Sequence, residues 1–378
     1  MRRIVIIGAG FAGMAVVGTL KHSGNDFEIV LIDKKKTSDF LPALPDTIGR
    51  SIYPKYLAFN IEQFARQQRT KFIHSQVTAV DLEKKQVFLS SLVLDYDYLV
   101  IASGSETNFY GNSNIKENAY KLNSVEDAQL IISALSGGQY SNYIICGGGY
   151  TGIQAATNLR LFLRKQKKEG RVIIVERANS ILGVLPEWMK QYTLENLKKL
   201  KIEILLESSI EKIEEKKVFL SQGKVFDQAL VIWAAGVKTA DFIQNLDLEK
   251  NPQGRIKVDE FLRVRPDCFV VGDAANFSYK NSYLRMAVQF AIFQGSLAAE
   301  NIIRSIKGGN LRKYRPIDFG YIIPMANNRS CGTIFGINLK GYLPTFFHFM
   351  MCIYRSIGLK NKLGIVKNLL IIKEGRDV

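Results

Sequence analysis

The sequence predicts an α/β fold built from two Rossmann-like dinucleotide-binding domains, and three observations lead to it. Ile4 to Ile7 is a short apolar, β-branched run leading into Gly8, Gly10 and Gly13 in G-x-G-x-x-G spacing. A helical pattern follows, then a second apolar strand, Ile29 to Ile32, closed by Asp33. The same order recurs from the strand Tyr143 to Cys146, through Gly147, Gly149 and Gly152 and a helix over Gln154 to Leu163, to Arg171–Val175 and Glu176. Finally, the strand Asp267 to Val271 runs directly into Gly272-Asp273-Ala274-Ala275. One glycine pattern alone is weak evidence, because such turns occur without ligands. A repeat with strand context and a terminal acid is far harder to obtain by chance.

Each element has a physical reason. In the first unit Gly8 permits the tight turn, Gly10 lets the backbone approach a pyrophosphate, and Gly13 lets helix and strand pack closely. The helix start then offers free N–H groups and a positive dipole end to phosphates. Asp33, twenty residues after Gly13, is spaced to accept hydrogen bonds from a ribose diol. Glu176 takes that role in the second unit, where a carboxylate favours NADH over NADPH because it repels a 2′-phosphate. Two dinucleotides imply hydride transfer between a nicotinamide and a flavin, with FAD on the first unit. Asp273, at a strand-to-helix junction, is expected to bind a ribityl hydroxyl or a phosphate-side oxygen.

Between these landmarks the chain reads in order. Pro42, Pro45 and Pro54 make the segment FLPALPDTIGRSIYPKYL irregular, with only short helical pieces. Phe72 to Val80 and Val87 to Leu94 read as strands of an antiparallel excursion, Tyr98 to Ala102 as a buried strand, and residues 111 to 123 as polar linker. Ser124 is the expected N-cap of a helix over Val125 to Ser136, with Asp127 completing a capping box. Helix Glu187 to Leu200, strand Ala229 to Ala234 and the long helix Met286 to Ile306 follow. The expected domains are 1–110 and 238–308 for the flavin, 111–237 for NAD(H), and 309–378 at the C-terminus.

Composition narrows the function. A net charge of +16 favours an anionic membrane surface, nucleic acid or anionic substrates. Nothing besides that charge supports nucleic-acid binding. Cys146, Cys268, Cys331 and Cys352 form no C-x-x-C, and three histidines are too scattered for a metal site. The start MRRIVIIGAG has no separate apolar segment or cleavage site, so a cytoplasmic chain is expected. Tyr342 to Tyr354 is almost wholly apolar and aromatic but spans only 13 residues, too few to cross about 30 Å of hydrocarbon. Residues 340–378 hold seven Lys or Arg against two acids, and Leu363, Val366, Leu369 and Leu370 recur at helical spacing. Amphipathic helices lying on an anionic lipid surface would use both features; a homodimer interface is the alternative use.

The strings IIGAGFAG, YDYLVIASGS, IICGGGYTG, VIWAAGV and DCFVVGDAA resemble, in order and spacing, the two-dinucleotide-domain flavoprotein reductases of glutathione-reductase type. FLPALPDTIG, VQFAIF and FFHFMMCIYRSIGLKNKLGIVKNLL narrow the resemblance to type II NADH:quinone oxidoreductase. It implies an enzyme that passes electrons from NADH through FAD to a membrane quinone without proton pumping, bound peripherally at the cytoplasmic face of the cell membrane. It also implies a quinone pocket at Val288, Gln289 and Phe293, with Gln289 as the polar contact. Val288 and Phe293 depart from the family's A-Q-x-A-x-Q, and Gln294, one residue on, points about 100° away. Gln154 stands where the family commonly has a glutamate at the nicotinamide–flavin contact, so a charge is missing there. Two other readings stay open. A sulfide:quinone enzyme has the same fold, with Cys331, in a stretch read as irregular, the only cysteine left as a candidate. A flavin redox sensor without turnover would suit the altered Gln154 and Phe293.

Overall fold

The structure, a computed structural model, describes residues 1–24, 27–280 and 282–374, with side chains through residue 370. It divides into two compact units: Met1–Ser38, Phe59–Glu106 and Val237–Asp318 in the first; Asp39–Ala58, Thr107–Gly236 and Phe319–Val378 in the second. The sequence boundaries near 110 and 237 fall close to these. Residues 39–58 differ, since they group with the second unit, and residues 319–378 join it instead of standing apart.

In the first unit a six-stranded sheet runs Arg263–Arg265, Cys268–Val270, Tyr98–Ile101, Arg2–Ile7, Phe27–Asp33, Lys71–His74. All neighbours are parallel except the first pair. The strands are continuously apolar because both faces are covered: Ile4, Val5, Ile6, Leu31 and Ile32 are wholly buried. Helix Phe11–His22 packs on the long helix Val288–Ile306. A Cβ at Gly295 would lie 2.3 Å from the Ala12 carbonyl oxygen, so only glycine allows that approach.

The stretch Phe72 to Val80, read as one strand, is two. Lys71–His74 extends the parallel sheet in register with Val30–Asp33, and Val77–Asp81 pairs antiparallel with Gln86–Leu89. The break at Ser75 is fixed where its N–H donates to the Asp33 carbonyl. The run Val87 to Leu94 also breaks, at a turn where Leu89 N–H meets Leu92 O, 2.8 Å away.

In the second unit a parallel sheet runs Tyr120–Lys121, Ala229–Trp233, Asn142–Cys146, Arg171–Val175, Ile202–Leu205. The expected linker 111–123 therefore contains a short helix, Ser113–Asn118, and an edge strand. Ser124 caps its helix, its hydroxyl accepting Asp127 N–H at 3.0 Å; in return the Asp127 carboxylate accepts Asn123 N–H at 2.9 Å, one residue earlier than a capping box places it. After Phe319 three antiparallel strands, Gly320–Ile323, Ser330–Ile334 and Ile337–Gly341, precede helices Tyr342–Arg355 and Leu359–Glu374. Cys331 is thus a buried strand residue, not part of an irregular region.

Candidate functional site

The two glycine turns are built alike. Gly8 and Gly147 have φ of +103° and +109°, in the left-handed region open to glycine. Their N–H groups donate to Ile32 O at 2.7 Å and Val175 O at 2.8 Å, tying each turn to the next strand. A Cβ at Gly13 would sit 1.8 Å from Gly8 O, and one at Gly152 would sit 1.9 Å from Gly147 O. Gly10 and Gly149, the N-caps of their helices, carry no side-chain cap and no first-turn acid, and a Cβ at either would meet no protein atom within 4 Å. Each helix start thus lacks a capping side chain and has open space beside its glycine, which suits a pyrophosphate.

The terminal acids have backbone partners that the sequence did not indicate. Asp33 accepts Ala9 N–H at 2.7 Å and Lys35 N–H at 2.8 Å; Glu176 accepts Gly148 N–H at 2.6 Å and Ala178 N–H at 2.8 Å. Each carboxylate clamps the glycine turn to the end of the second strand. With about four acceptor sites each, both retain capacity for ribose hydroxyls.

Gly272, at φ +68°, turns the chain so that Asp273 faces Ser105, whose hydroxyl donates to it at 2.9 Å. Burial raises the Asp273 pKa, opposed by that hydrogen bond and by Arg255. Sequence reasoning missed Arg255. Its buried guanidinium donates to the carbonyls of Asp273 (3.1 Å), Ala275 (2.5 Å) and Leu284 (3.0 Å), holding the turn from behind. Gln294 also belongs to this turn, since its Oε1 accepts Gly272 N–H at 2.7 Å. Ser103 Oγ is buried with no partner among the described residues. The backbone of Ser103 runs beside Gly8, so the unmet hydroxyl belongs to the same turn region, as a group satisfied by a ligand would.

Gln289 is 7% exposed in the first turn of its helix, and its Nε2 donates to Asp318 at 2.9 Å. Val288 is half-buried and Phe293 exposed.

Gln154 is buried in the second unit, its Nε2 donating to Asp46 at 2.8 Å and to Pro42 O at 3.2 Å. The charge counted as missing at position 154 is therefore one hydrogen bond away. Asp46 also accepts from Asn158 at 3.1 Å and His348 at 3.1 Å, with Arg50 Nε at 3.3 Å. Helix Asp46–Gly49 reaches this place because a Cβ at Gly49 would lie 2.1 Å from Asn158 O. Burial opposes ionisation of Asp46, but His348, Arg50 and Asn158 outweigh it and lower its pKa. Burial also opposes the charged form of His348, which Cys352 at 3.7 Å and Asp46 nevertheless push up to about 10. No sequence pattern flags this cluster, whose members come from segments up to 302 residues apart.

Burial raises the thiol of Cys146 to about 12 and raises those of Cys268 and Cys331 too. Cys331 faces Thr193 Oγ1 in the core at 3.6 Å, which removes the observation that kept it a sulfide-reactive candidate. Among the described residues no group of His, Cys, Asp and Glu is arranged to hold a metal ion.

Known proteins are similar to this chain in sequence and fold. A type II NADH:quinone oxidoreductase of Staphylococcus haemolyticus is 24% identical over 374 residues, covering 91% of this chain and 92% of that protein. The demethylphylloquinone reductase NdbB of a Synechocystis strain is 26% identical over 388 residues, covering 97% and 95%. The structure of NDH2 from Plasmodium falciparum in complex with NADH superposes with a TM-score of 0.86 at 18% identity, covering 98% of each chain. The family model named pyridine nucleotide-disulphide oxidoreductase matches residues 2–295, from the first sheet strand to Gly295, and thus takes in both glycine turns and the Gly272-Asp273 turn. With more than half its length inside that match, the chain belongs to the pyridine nucleotide-disulphide oxidoreductase family.

Proposed function

We propose that this chain is an FAD-dependent enzyme that transfers electrons from NADH to a membrane quinone without pumping protons. The observation that carries the reading is the duplicated turn: two uncapped helix starts, each closed by a carboxylate that receives two backbone N–H groups. Relatives named as quinone reductases, matching nearly the full chain, support the acceptor class.

FAD supplies a two-electron carrier and NADH the hydride. Gly8, Gly10, Gly13 and Asp33 hold the flavin nucleotide, with Gly272 and Asp273 at its ribityl chain. Gly147, Gly149, Gly152 and Glu176 hold NADH. Such a step needs orientation and exclusion of water more than a strong acid or base. Gln154, fixed by Asp46, lends its amide and the adjacent negative charge on the nicotinamide side. Gln289 is the polar contact for the quinone, in a pocket that Val288 and Phe293 make apolar.

The C-terminal helices bring the protein to the lipid where the quinone resides. Tyr342, Leu343, Phe346, Met350 and Tyr354 are exposed along one side of Tyr342–Arg355, and Leu359, Leu363 and Leu370 are exposed on the last helix beside Lys360 and Lys367. An apolar face flanked by lysines suits peripheral binding to an anionic leaflet. Among the described residues no helix is long and apolar enough to cross a membrane; residues 375–378 of the proposed lipid-binding stretch lie outside them.

Purified protein should show a flavin spectrum that NADH bleaches anaerobically, faster than NADPH does, and that a soluble quinone restores. A colourless protein that takes up no FAD overturns the reading. Stoichiometric bleaching with no reoxidation by any quinone would instead identify a sensor.

A further inference from the structure

We propose that Asp318 and Arg285 are positioning residues for electron-acceptor reduction: they lock the amide of Gln289 in one orientation towards the bound quinone. The proposal rests on the quinone reading above and extends it to residues outside the VQFAIF motif.

Gln289 is a polar side chain at a site where 93% of its surface is removed from solvent. An amide can present either its oxygen or its nitrogen, and rotation by 180° exchanges a donor for an acceptor. A carboxylate accepts only, so Asp318 Oδ1, 2.9 Å from Gln289 Nε2, selects one of the two. The carbonyl oxygen is thereby turned away from Asp318. An amide so held offers an acceptor to an O–H or N–H, such as the hydroxyl of a quinol as it forms.

The Asp318 carboxylate is itself fixed. Arg285 binds both its oxygens, Nη2 donating to Oδ1 at 2.8 Å and Nη1 to Oδ2 at 2.5 Å, in the two-pronged geometry that holds a carboxylate in a plane. The guanidinium in turn lies 5.2 Å from the ring centroid of buried Phe290, next to Gln289 in sequence. Arg285 precedes the long helix by three residues, while Asp318 follows it by twelve. Tyr314 N–H donating to Glu260 O at 2.7 Å, and Asn301 bonding both N–H and O of Arg312, hold down the returning segment. An ion pair with 33% and 46% side-chain exposure contributes little to stability as such; its two-pronged contact to an amide-bearing carboxylate is the arrangement positioning requires.

The test uses full-length, FAD-loaded protein and the variants D318N, R285M, R285K, Q289L and Q289L/D318N. Stopped-flow bleaching by NADH reports the first half-reaction, steady-state turnover with a short-chain ubiquinone analogue the second, and ferricyanide an acceptor that needs no oriented amide. Asp318→Asn keeps the size but lets the amide turn over. D318N and R285M should each lower kcat and kcat/KM for the quinone analogue by about tenfold, the size of one misplaced hydrogen bond, with bleaching and ferricyanide turnover within about twofold of wild type. R285K should fall between, and the double variant should be no worse than Q289L alone, because a positioning residue has nothing left to position. An unchanged kcat/KM for the quinone in D318N, additive losses in the double variant, or equal losses with ferricyanide and in bleaching would overturn the proposal. If wild type turns over with no quinone, the quinone reading falls too, a result distinct from intact wild-type turnover with silent variants.

Discussion

A methyl group added at Gly13 would lie 1.8 Å from the Gly8 carbonyl oxygen, whereas one at Gly10 would meet no protein atom within 4 Å. The same substitution therefore has different consequences three residues apart. Gly13→Ala should destabilise the apoprotein by about 3 kcal/mol through overpacking against backbone. Gly10→Ala should leave the apoprotein melting temperature unchanged while weakening FAD binding at least about tenfold, or about 1.4 kcal/mol. Thermal melts of flavin-free protein together with FAD titration separate the two, and a G10A apoprotein that melts far below wild type would count against a ligand role for Gly10. The spacing of the glycines, and the residues Asp33 and Glu176, were legible in the sequence because the turn is local and its chemistry restricts the residue type. The clamp from each acid onto a backbone N–H was not, since Asp33 and Ala9 are 24 residues apart and Glu176 and Gly148 are 28 apart. Only the parallel pairing of the strands brings those atoms together.

At the scale of elements, one of the side chains that fasten the first C-terminal helix is a histidine with a buried carboxylate partner. His348 reaches Asp46, which also receives Gln154 from the helix that starts at the second glycine turn. Hydropathy shows the apolar run of this helix but says nothing about a lone histidine within it, whose partner lies 302 residues earlier. The proline-rich segment 39–58 was equally opaque, because prolines report the break in regular structure and not the destination of the residues between them. The pair predicts a pH signature. His348 has its pKa raised from 6.5 to about 10, so its contribution to stability is full below about pH 6.5 and is lost as pH rises through about 10. Asp46 has its pKa lowered; its contribution is full above its ordinary value and is lost as pH falls through the depressed one. His348→Gln should cost on the order of 2 kcal/mol at pH 6 and flatten the decline in melting temperature between pH 7 and 10. Parallel wild-type and H348Q curves across that window would show that His348 does not titrate as described.

The chain as a whole carries +16, and on the proposed membrane reading that excess and the exposed apolar helix faces would act on the same partner: anionic lipid would attract the lysines while the aromatic and leucine side chains enter the headgroup boundary. How to test this depends on how the tail is built. The sequence presents residues 340–378 as amphipathic helices lying on a surface, yet Phe349 and Cys352 are buried and Thr345 shares a 2.6 Å hydrogen bond with Ser330. Removing the segment would also strip Asp46 of His348, so a truncated protein that missed the membrane could simply be misfolded. Exposed positions avoid that ambiguity: Phe346, Met350 and Leu363 are 49%, 43% and 60% exposed, and serine at all three removes apolar surface without opening the core. Each side chain transferred into lipid contributes about 1 to 2 kcal/mol at the usual value per unit area, so the triple variant should lose at least about a hundredfold in affinity for anionic vesicles. Its flavin spectrum and bleaching by NADH should stay at wild-type levels. Sedimentation with phosphatidylglycerol vesicles at low and high salt measures both contributions, since salt screens the lysines and leaves the apolar part. Wild-type protein that stays in the supernatant at low salt would remove the membrane assignment. A triple variant that sediments as wild type does but changes from dimer to monomer would assign the face to a second copy of this chain.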